Sequence, residues 1–85
     1  MIMQPRQEIS VAFAAKIGDA VRTQRERLDL RQDELALTAG VSTRVIHQIE
    51  HGKPTSRLDS VLPVLDALGL SLEICRQRNR SEGET

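Results

Sequence analysis

The sequence predicts an all-α domain of four to five helices, followed by one C-terminal β-strand. Through most of the 85 residues, apolar side chains recur at three- and four-residue spacing, which is the period of an amphipathic helix. Phe13 is the single aromatic residue, so the core has to be aliphatic, which suits packed helices. After Gly69 the pattern changes to apolar–polar alternation over residues 70–74, which is typical of a strand.

The composition favours a small protein of the reducing cytoplasm. Twelve basic residues balance twelve acidic ones, which argues against a generally basic surface but allows a local one. One cysteine cannot form an internal disulfide, and no apolar run approaches the roughly 20 residues that span a bilayer. The N-terminus lacks the apolar stretch of a signal peptide. A chain this short is only marginally stable alone, so pairing is favoured.

The first helix is expected from about Ser10, a plausible cap, to about Leu28. Residues 1–9, which include one proline, are predicted to form a mobile N-terminal arm. Gly18 inside the helix costs on the order of 1 kcal/mol against alanine, which indicates that another helix packs closely there. One helical domain is expected to cover residues 10–69.

Two short helices separated by a tight turn are predicted over residues 32–52. Arg31 stands where the first of them needs a cap, but arginine cannot accept a hydrogen bond, so Asp29 or the backbone is expected to replace it. Gly40 tolerates a left-handed backbone and ends this helix. Ser42 then offers its hydroxyl as the N-cap of the second.

The outer face of the second short helix carries hydrogen-bonding side chains and almost no carboxylate. Such a surface suits base edges and phosphates, although an ordinary solvated polar face is the alternative. Its members are Thr43, Arg44, His47, Gln48 and His51.

The last helix is expected over residues 57–68, with Ser56 as its cap. Pro63 removes the hydrogen bond to the Asp59 carbonyl, which predicts a kink or a break into two pieces. Gly69 ends the helix.

A strand is predicted over residues 70–78, and a single strand has no partner in an otherwise helical chain. Unpaired strand edges recruit another chain, so we expect the same strand of a second copy to pair with it across a twofold axis. The residues expected at this dimer contact are Leu70, Leu72 and Ile74. Residues 79–85 are predicted to be disordered.

The central motif resembles the helix-turn-helix of the lambda-repressor-like (Cro/Xre) family. The matching residues, in order, are Gln32, Leu35-Ala36, Gly40-Val41-Ser42, Ile46, Ile49-Glu50 and Gly52. The resemblance extends from about residue 17 to 72, and residues 68–75 are similar to the tail of HipB-type antitoxins. The resemblance implies a homodimer. In it, the third helix of each subunit, which is the second of the two short helices, enters the major groove of double-stranded operator DNA, and the two helices lie roughly 34 Å apart in successive grooves.

The same resemblance implies repression of the protein's own operon in the cytoplasm, at the nucleoid, and inhibition of a HipA-like kinase toxin. Two alternatives stay open. One is a stand-alone or prophage Xre-type repressor that has no toxin partner. The other is a protein-interaction module that has lost DNA binding, which is compatible with the zero net charge.

The resemblance also assigns roles by position. Arg44 is expected to contact guanine and Gln48 adenine. The full set of base contacts is Thr43, Arg44, His47 and Gln48. The phosphate contacts are Gln32, Ser42, His51 and Lys53. Glu50 is expected to pair with Arg25, which would hold the third helix against the first and keep the carboxylate away from phosphates.

Catalytic and metal-binding patterns are weak. His47 and His51 are spaced to face one metal ion, but no third ligand is evident nearby, and Cys75 is interpreted as an inert thiol. The sequence contains no glycine-rich phosphate loop and no nucleophile with a recognisable activating partner. We therefore predict a protein that is not an enzyme and that uses no metal or cofactor.

Overall fold

The computed structural model describes residues 5–77 of the chain. Within this range the regular secondary structure is all-helical, as the sequence predicted for the domain. None of the described helices combines the length and the apolar character that a membrane span requires. The four helices are α1 (Pro5–Arg27), α2 (Gln32–Ala39), α3 (Thr43–Glu50) and α4 (Leu58–Ala67).

The core is aliphatic and lies where α3 packs against α1 and α2, while α4 packs mainly on α2. Fully burying a valine, leucine or isoleucine contributes roughly 1.5–3 kcal/mol. Phe13 remains outside the core, with half of its surface exposed (50%). The buried apolar residues are Val21, Leu35, Ala36, Ile46, Ile49, Val61, Val64, Leu65 and Leu68.

The crossing of α1 over α3 depends on Gly18, which is buried. A Cβ atom added there would lie 2.5 Å from the carbonyl oxygen of Ile49 and 3.0 Å from that of Glu50. The missing side chain therefore lets two helix backbones approach directly, which is the close packing that a glycine inside α1 predicted.

The predicted start of α1 was wrong. The helix begins at Pro5 rather than at Ser10, because a proline in the first turn has no N–H group to leave unpaired. The Ser10 hydroxyl donates to the Arg6 carbonyl within the helix and does not cap it. The arm predicted over residues 1–9 is therefore helical from Pro5 onward, and residues 1–4 lie outside the described range.

The start of α2 is capped by a residue that the sequence analysis did not consider. Arg31 is the extended residue before the helix, and its backbone N–H donates to the Glu34 carboxylate at 2.8 Å. This is one half of a capping box. Asp29, one of the two substitutes considered, instead adopts a left-handed turn conformation at φ 58°. The Arg31 side chain pairs with the first turn of α2, with its Nε 3.0 Å from Oδ1 of Asp33 and its Nη2 3.9 Å from Oε2 of Glu34.

Two details of α4 differ from expectation. Its N-cap is Arg57, whereas the Ser56 hydroxyl donates to the Lys53 carbonyl at 2.8 Å. The Arg57 guanidinium pairs with Asp59 in the first turn. One continuous helix passes through Pro63, so the break considered from the sequence does not occur.

After α4 ends at Ala67, Gly69 adopts a left-handed conformation at φ 74°, and the Leu70 N–H bonds to the Leu65 carbonyl at 2.8 Å. Leu70 packs on the core. Residues 71–77 have no regular secondary structure, so the strand predicted over residues 70–78 is not formed in the described part of this single chain. A strand requires a partner strand, and the helices provide none. The predicted disordered tail, residues 79–85, lies outside the described range.

Candidate nucleic-acid interface

The turn between α2 and α3 sets the position of the candidate interface. Gly40 adopts φ 75°, and the N–H groups of Gly40 and Val41 both bond to the Ala36 carbonyl, at 2.9 and 3.0 Å. Ser42 is extended, and its Oγ accepts a hydrogen bond from the Val45 N–H at 3.2 Å. This N-cap starts α3 at the residue that the sequence predicted.

The two faces of α3 differ sharply in character. Ile46 and Ile49 are buried, and Val45 is half-buried against the core. The opposite side, which we call the polar face of α3, is exposed except for Gln48, which is half-buried. The polar face consists of Thr43, Arg44, His47, Gln48 and His51. The structure thus brings the predicted base-contacting side chains onto one surface.

Arg44 is available for a ligand. Within residues 5–77 the structure gives its guanidinium no hydrogen-bond or ion-pair partner, whereas Arg22, Arg31 and Arg57 each lie beside an aspartate. A guanidinium presents a rigid fork of donors that matches the two acceptors on a guanine edge. The polar face therefore carries an unneutralised positive charge and no carboxylate.

The two histidines of the polar face interact with each other. Their ring centroids are 4.0 Å apart, and Nδ1 of His51 lies 2.8 Å from the His47 carbonyl oxygen. Because a carbonyl only accepts, this contact requires a hydrogen on Nδ1 of His51. Within the described residues, no three His, Cys, Asp or Glu side chains are grouped so that they could hold a metal ion. Cys75 is exposed.

Three of the predicted phosphate contacts lie beside the polar face and differ in their exposure and in the hydrogen bonds that they already make. Lys53 is exposed, and its backbone N–H bonds to the Gln48 carbonyl. Ser42 accepts the cap hydrogen bond but keeps its own hydroxyl hydrogen to donate. Gln32 is half-buried, and its Nε2 lies 3.1 Å from Oε1 of Glu50. The sequence analysis missed this contact, which joins α2 to the end of α3.

Glu50 is the buried charge beneath this surface, with 6% of its surface exposed. The Arg25 guanidinium meets it at two points, Nε to Oε2 at 2.6 Å and Nη2 to Oε1 at 3.0 Å. Arg25 Nη1 also donates to the Leu30 carbonyl at 2.8 Å. Together with Gln32, these contacts form what we call the Glu50 network, which connects α1, the α1–α2 joint, α2 and α3.

The carboxylate of the Glu50 network stays ionised. Burial by itself raises the pKa of the Glu50 carboxyl and is the largest single effect. Hydrogen bonds from Arg25 and Gln32, together with the positive charges of Arg25 and Arg22, outweigh it and lower the pKa below the ordinary value. The hydrogen bond to Glu50 likewise raises the pKa of Arg25. The geometry is that of a structural ion pair that faces the protein interior.

Comparison with known proteins places this arrangement in a family. A family model described as helix-turn-helix matches residues 21–75, which include α2, α3 and α4. Over 60 residues, the chain is 52% identical to the "Uncharacterized HTH-type transcriptional regulator y4mF" of Sinorhizobium fredii strain NGR234. This match covers 71% of the present chain and 79% of the relative. The chain therefore belongs to the helix-turn-helix family of the Cro/C1 type.

Proposed function

We propose that the protein is a sequence-specific transcriptional repressor that acts as the antitoxin of a HipBA-type toxin–antitoxin system. Family membership supports transcriptional regulation through DNA binding, because the chain is a transcriptional regulator with a helix-turn-helix DNA-binding domain. The observation that supports DNA reading is the polar face of α3, where Arg44, which has no ion-pair partner among residues 5–77, shares one largely exposed surface with other hydrogen-bonding side chains. The major groove of B-DNA admits a helix of this kind.

In this proposal α3 lies in the major groove and its first residues reach base edges. Two N–H groups of the Arg44 guanidinium donate to O6 and N7 of guanine. The Gln48 amide pairs with N6 and N7 of adenine. Thr43 and His47 complete the base contacts. The phosphate contacts are Gln32, Ser42, His51 and Lys53. The protein acts in the cytoplasm by binding alone, without catalysis, metal or cofactor.

Two substitutions separate base reading from phosphate contact. Arg44→Ala is expected to weaken operator binding by about 1–3 kcal/mol and to relax the preference at one base position. Lys53→Ala should weaken all sequences alike and reduce the slope of log affinity against log salt by about 1, because fewer counterions are released. Fluorescence anisotropy with an operator selected from random DNA, repeated over a range of salt concentrations, measures both effects.

Arg27→Ala is the matched control for these substitutions, because Arg27 is exposed at the end of α1 and is not part of the polar face. It should leave the base preference unchanged. If Arg44→Ala and Lys53→Ala both bind like the wild-type protein, the polar face of α3 is not the recognition surface.

We also propose that the protein is a homodimer joined through its C-terminal segment. Residues 71–77 make no backbone hydrogen bond with the rest of the described chain, and Ile74 is fully exposed (100%). A segment whose N–H and C=O groups are free of other backbone partners pairs readily with another chain. Pairing with the same segment of a second copy would bury Leu72 and Ile74 and add to the contact of Leu70.

Deleting residues 71–78 is therefore expected to raise the dimer dissociation constant at least tenfold, because the pairing segment is lost. Sedimentation equilibrium of the wild-type and truncated chains measures it. Ile74→Lys should weaken the dimer in the same direction, whereas Gln77→Lys, a nearby exposed position, serves as its control. A truncated chain that dimerises as tightly as the wild type would rule out this interface.

The antitoxin role is supported by the resemblance of residues 68–75 to HipB-type tails. Isolating the native complex and sequencing its bound DNA tests it, since a kinase-sized protein should accompany the operator. A stand-alone or prophage repressor with no toxin partner is the second candidate, and it agrees with the relative's name as an HTH-type transcriptional regulator. It predicts operator DNA without the kinase. A pure interaction module predicts no salt-dependent DNA binding at all.

A further inference from the structure

We infer that Glu50 is a positioning residue for DNA binding, because it decides which end of the Gln32 amide faces the DNA. The inference rests on the proposed function, in which Gln32 contacts a phosphate. It goes beyond that proposal by assigning a role in binding to a buried carboxylate that cannot itself touch the DNA.

The orientation of the Glu50 carboxylate is fixed by hydrogen bonds from Arg25. Arg25 holds both of its oxygens, at 2.6 and 3.0 Å, and is itself anchored to the Leu30 carbonyl. An ionised carboxylate only accepts hydrogen bonds, so the Gln32 amide must present its NH₂ group to Oε1, at 3.1 Å. A flipped amide would place its carbonyl oxygen against a buried carboxylate oxygen, which is electrostatically unfavourable.

The NH₂ group of Gln32 has two hydrogens, and Glu50 uses one of them. A phosphate oxygen also accepts only, so the second hydrogen is the one that serves the DNA. A single neutral NH₂ group thereby joins two anions. The side chain at position 32 thus needs two donor hydrogens and no negative charge, which glutamine provides and glutamate does not.

The same network sets the spacing between two kinds of contact. Gln32 is the first residue of α2, and Glu50 is the last residue of α3. Their hydrogen bond holds the phosphate contact at a constant distance from the helix that carries the base-reading side chains. The phosphate therefore determines how deeply α3 sits in the groove.

Replacing single phosphates of the operator by uncharged methylphosphonates identifies the phosphate that Gln32 contacts. In operators where one phosphate per half-site is replaced by methylphosphonate, one position should weaken wild-type binding about tenfold, the size of a hydrogen bond to a charged group. In Gln32→Ala the penalty at that position should disappear while the penalties at other phosphates remain. Gln32→Glu should bind less tightly than Gln32→Ala, because a carboxylate faces both anions. Lys53→Ala, as a control, should keep the penalty at the Gln32 phosphate.

Glu50→Gln tests the positioning step. A carboxamide at position 50 donates as well as accepts, so the Gln32 amide is free to take either orientation. The penalty at the Gln32 phosphate should fall, measured at a temperature where circular dichroism shows the variant folded. The wild-type protein gives a second test by NMR, since the side-chain NH₂ signals of Gln32 should shift as the Glu50 carboxyl titrates.

The outcomes separate the inference from the function on which it rests. A wild-type protein that binds no DNA removes the proposed function. A wild-type protein that binds its operator, but whose methylphosphonate profile is unchanged in Gln32→Ala, overturns the phosphate contact. A penalty that persists in Glu50→Gln, or Gln32 signals that do not follow the titration of Glu50, overturns the positioning role.

Discussion

Replacing Glu50 by alanine is expected to lower the free energy of unfolding by about 3–5 kcal/mol, because removing one partner of a buried ion pair strands the other charge. The Arg25 side chain is only 13% exposed and would keep a single acceptor, the Leu30 carbonyl. Gln32 would lose its acceptor as well. Since small domains are stable by about 5–15 kcal/mol, this one change should remove a large share of the total. Urea unfolding followed by circular dichroism measures it.

Two companion variants calibrate this result. Asp59→Ala breaks the exposed pair with Arg57 and should cost no more than about 1 kcal/mol. The double variant Arg25→Met with Glu50→Leu should recover much of the stability lost in Glu50→Ala, because apolar replacements remove the stranded charge. A loss below about 1 kcal/mol in Glu50→Ala would mean that the pair is solvated in solution.

The pH dependence of unfolding provides a second check on the Glu50 network. The folded-state pKa of Glu50 lies below its ordinary value, so the ionised carboxylate stabilises the fold above the unfolded-state pKa. That contribution is lost as the pH falls through the folded-state pKa. The wild-type protein should therefore lose more stability on acidification than Glu50→Gln does, and parallel curves would contradict the network.

Replacing Gly18 by valine is expected to destabilise the fold by about 3 kcal/mol, the upper range for an overpacked site. The new Cβ would lie 2.5 Å from the Ile49 carbonyl oxygen, and a backbone atom cannot move aside as a flexible side chain would. The strain would push α1 away from α3. Thermal unfolding measures the effect, since each kcal/mol shifts Tm by about 4–8 °C in a domain of this size.

Ala20→Val is the matched control, because it places the same side chain on the same helix at an exposed position. It should cost only the difference in helix propensity between alanine and valine, roughly 0.6 kcal/mol. Equal losses in the two variants would show that α1 and α3 do not approach closely at Gly18.

Local chemistry explains which elements were predictable. Gly40 and Ser42 act within a few residues of themselves, one through its left-handed backbone and the other through its hydroxyl. The same reasoning was wrong for Ser10 and Ser56. Both hydroxyls donate to carbonyls three or four residues earlier instead of capping a helix, because serine has both options and the chain around it selects one. Glu34 at the third position of α2 was a visible capping signal that the sequence analysis did not use.

The sequence by itself determined the all-helical class, the turn between α2 and α3 and the polar face of α3, because these depend on interactions within one or two helical turns. Only the tertiary structure decided that Gln32 lies against Glu50 and that Gly18 lies under the Ile49 carbonyl. These groups are distant along the chain, and the spacing of residues in the sequence does not reveal how closely two helices pack. Their contacts arise when aliphatic packing brings α1, α2 and α3 together, and that packing places a buried carboxylate directly behind the predicted phosphate contact.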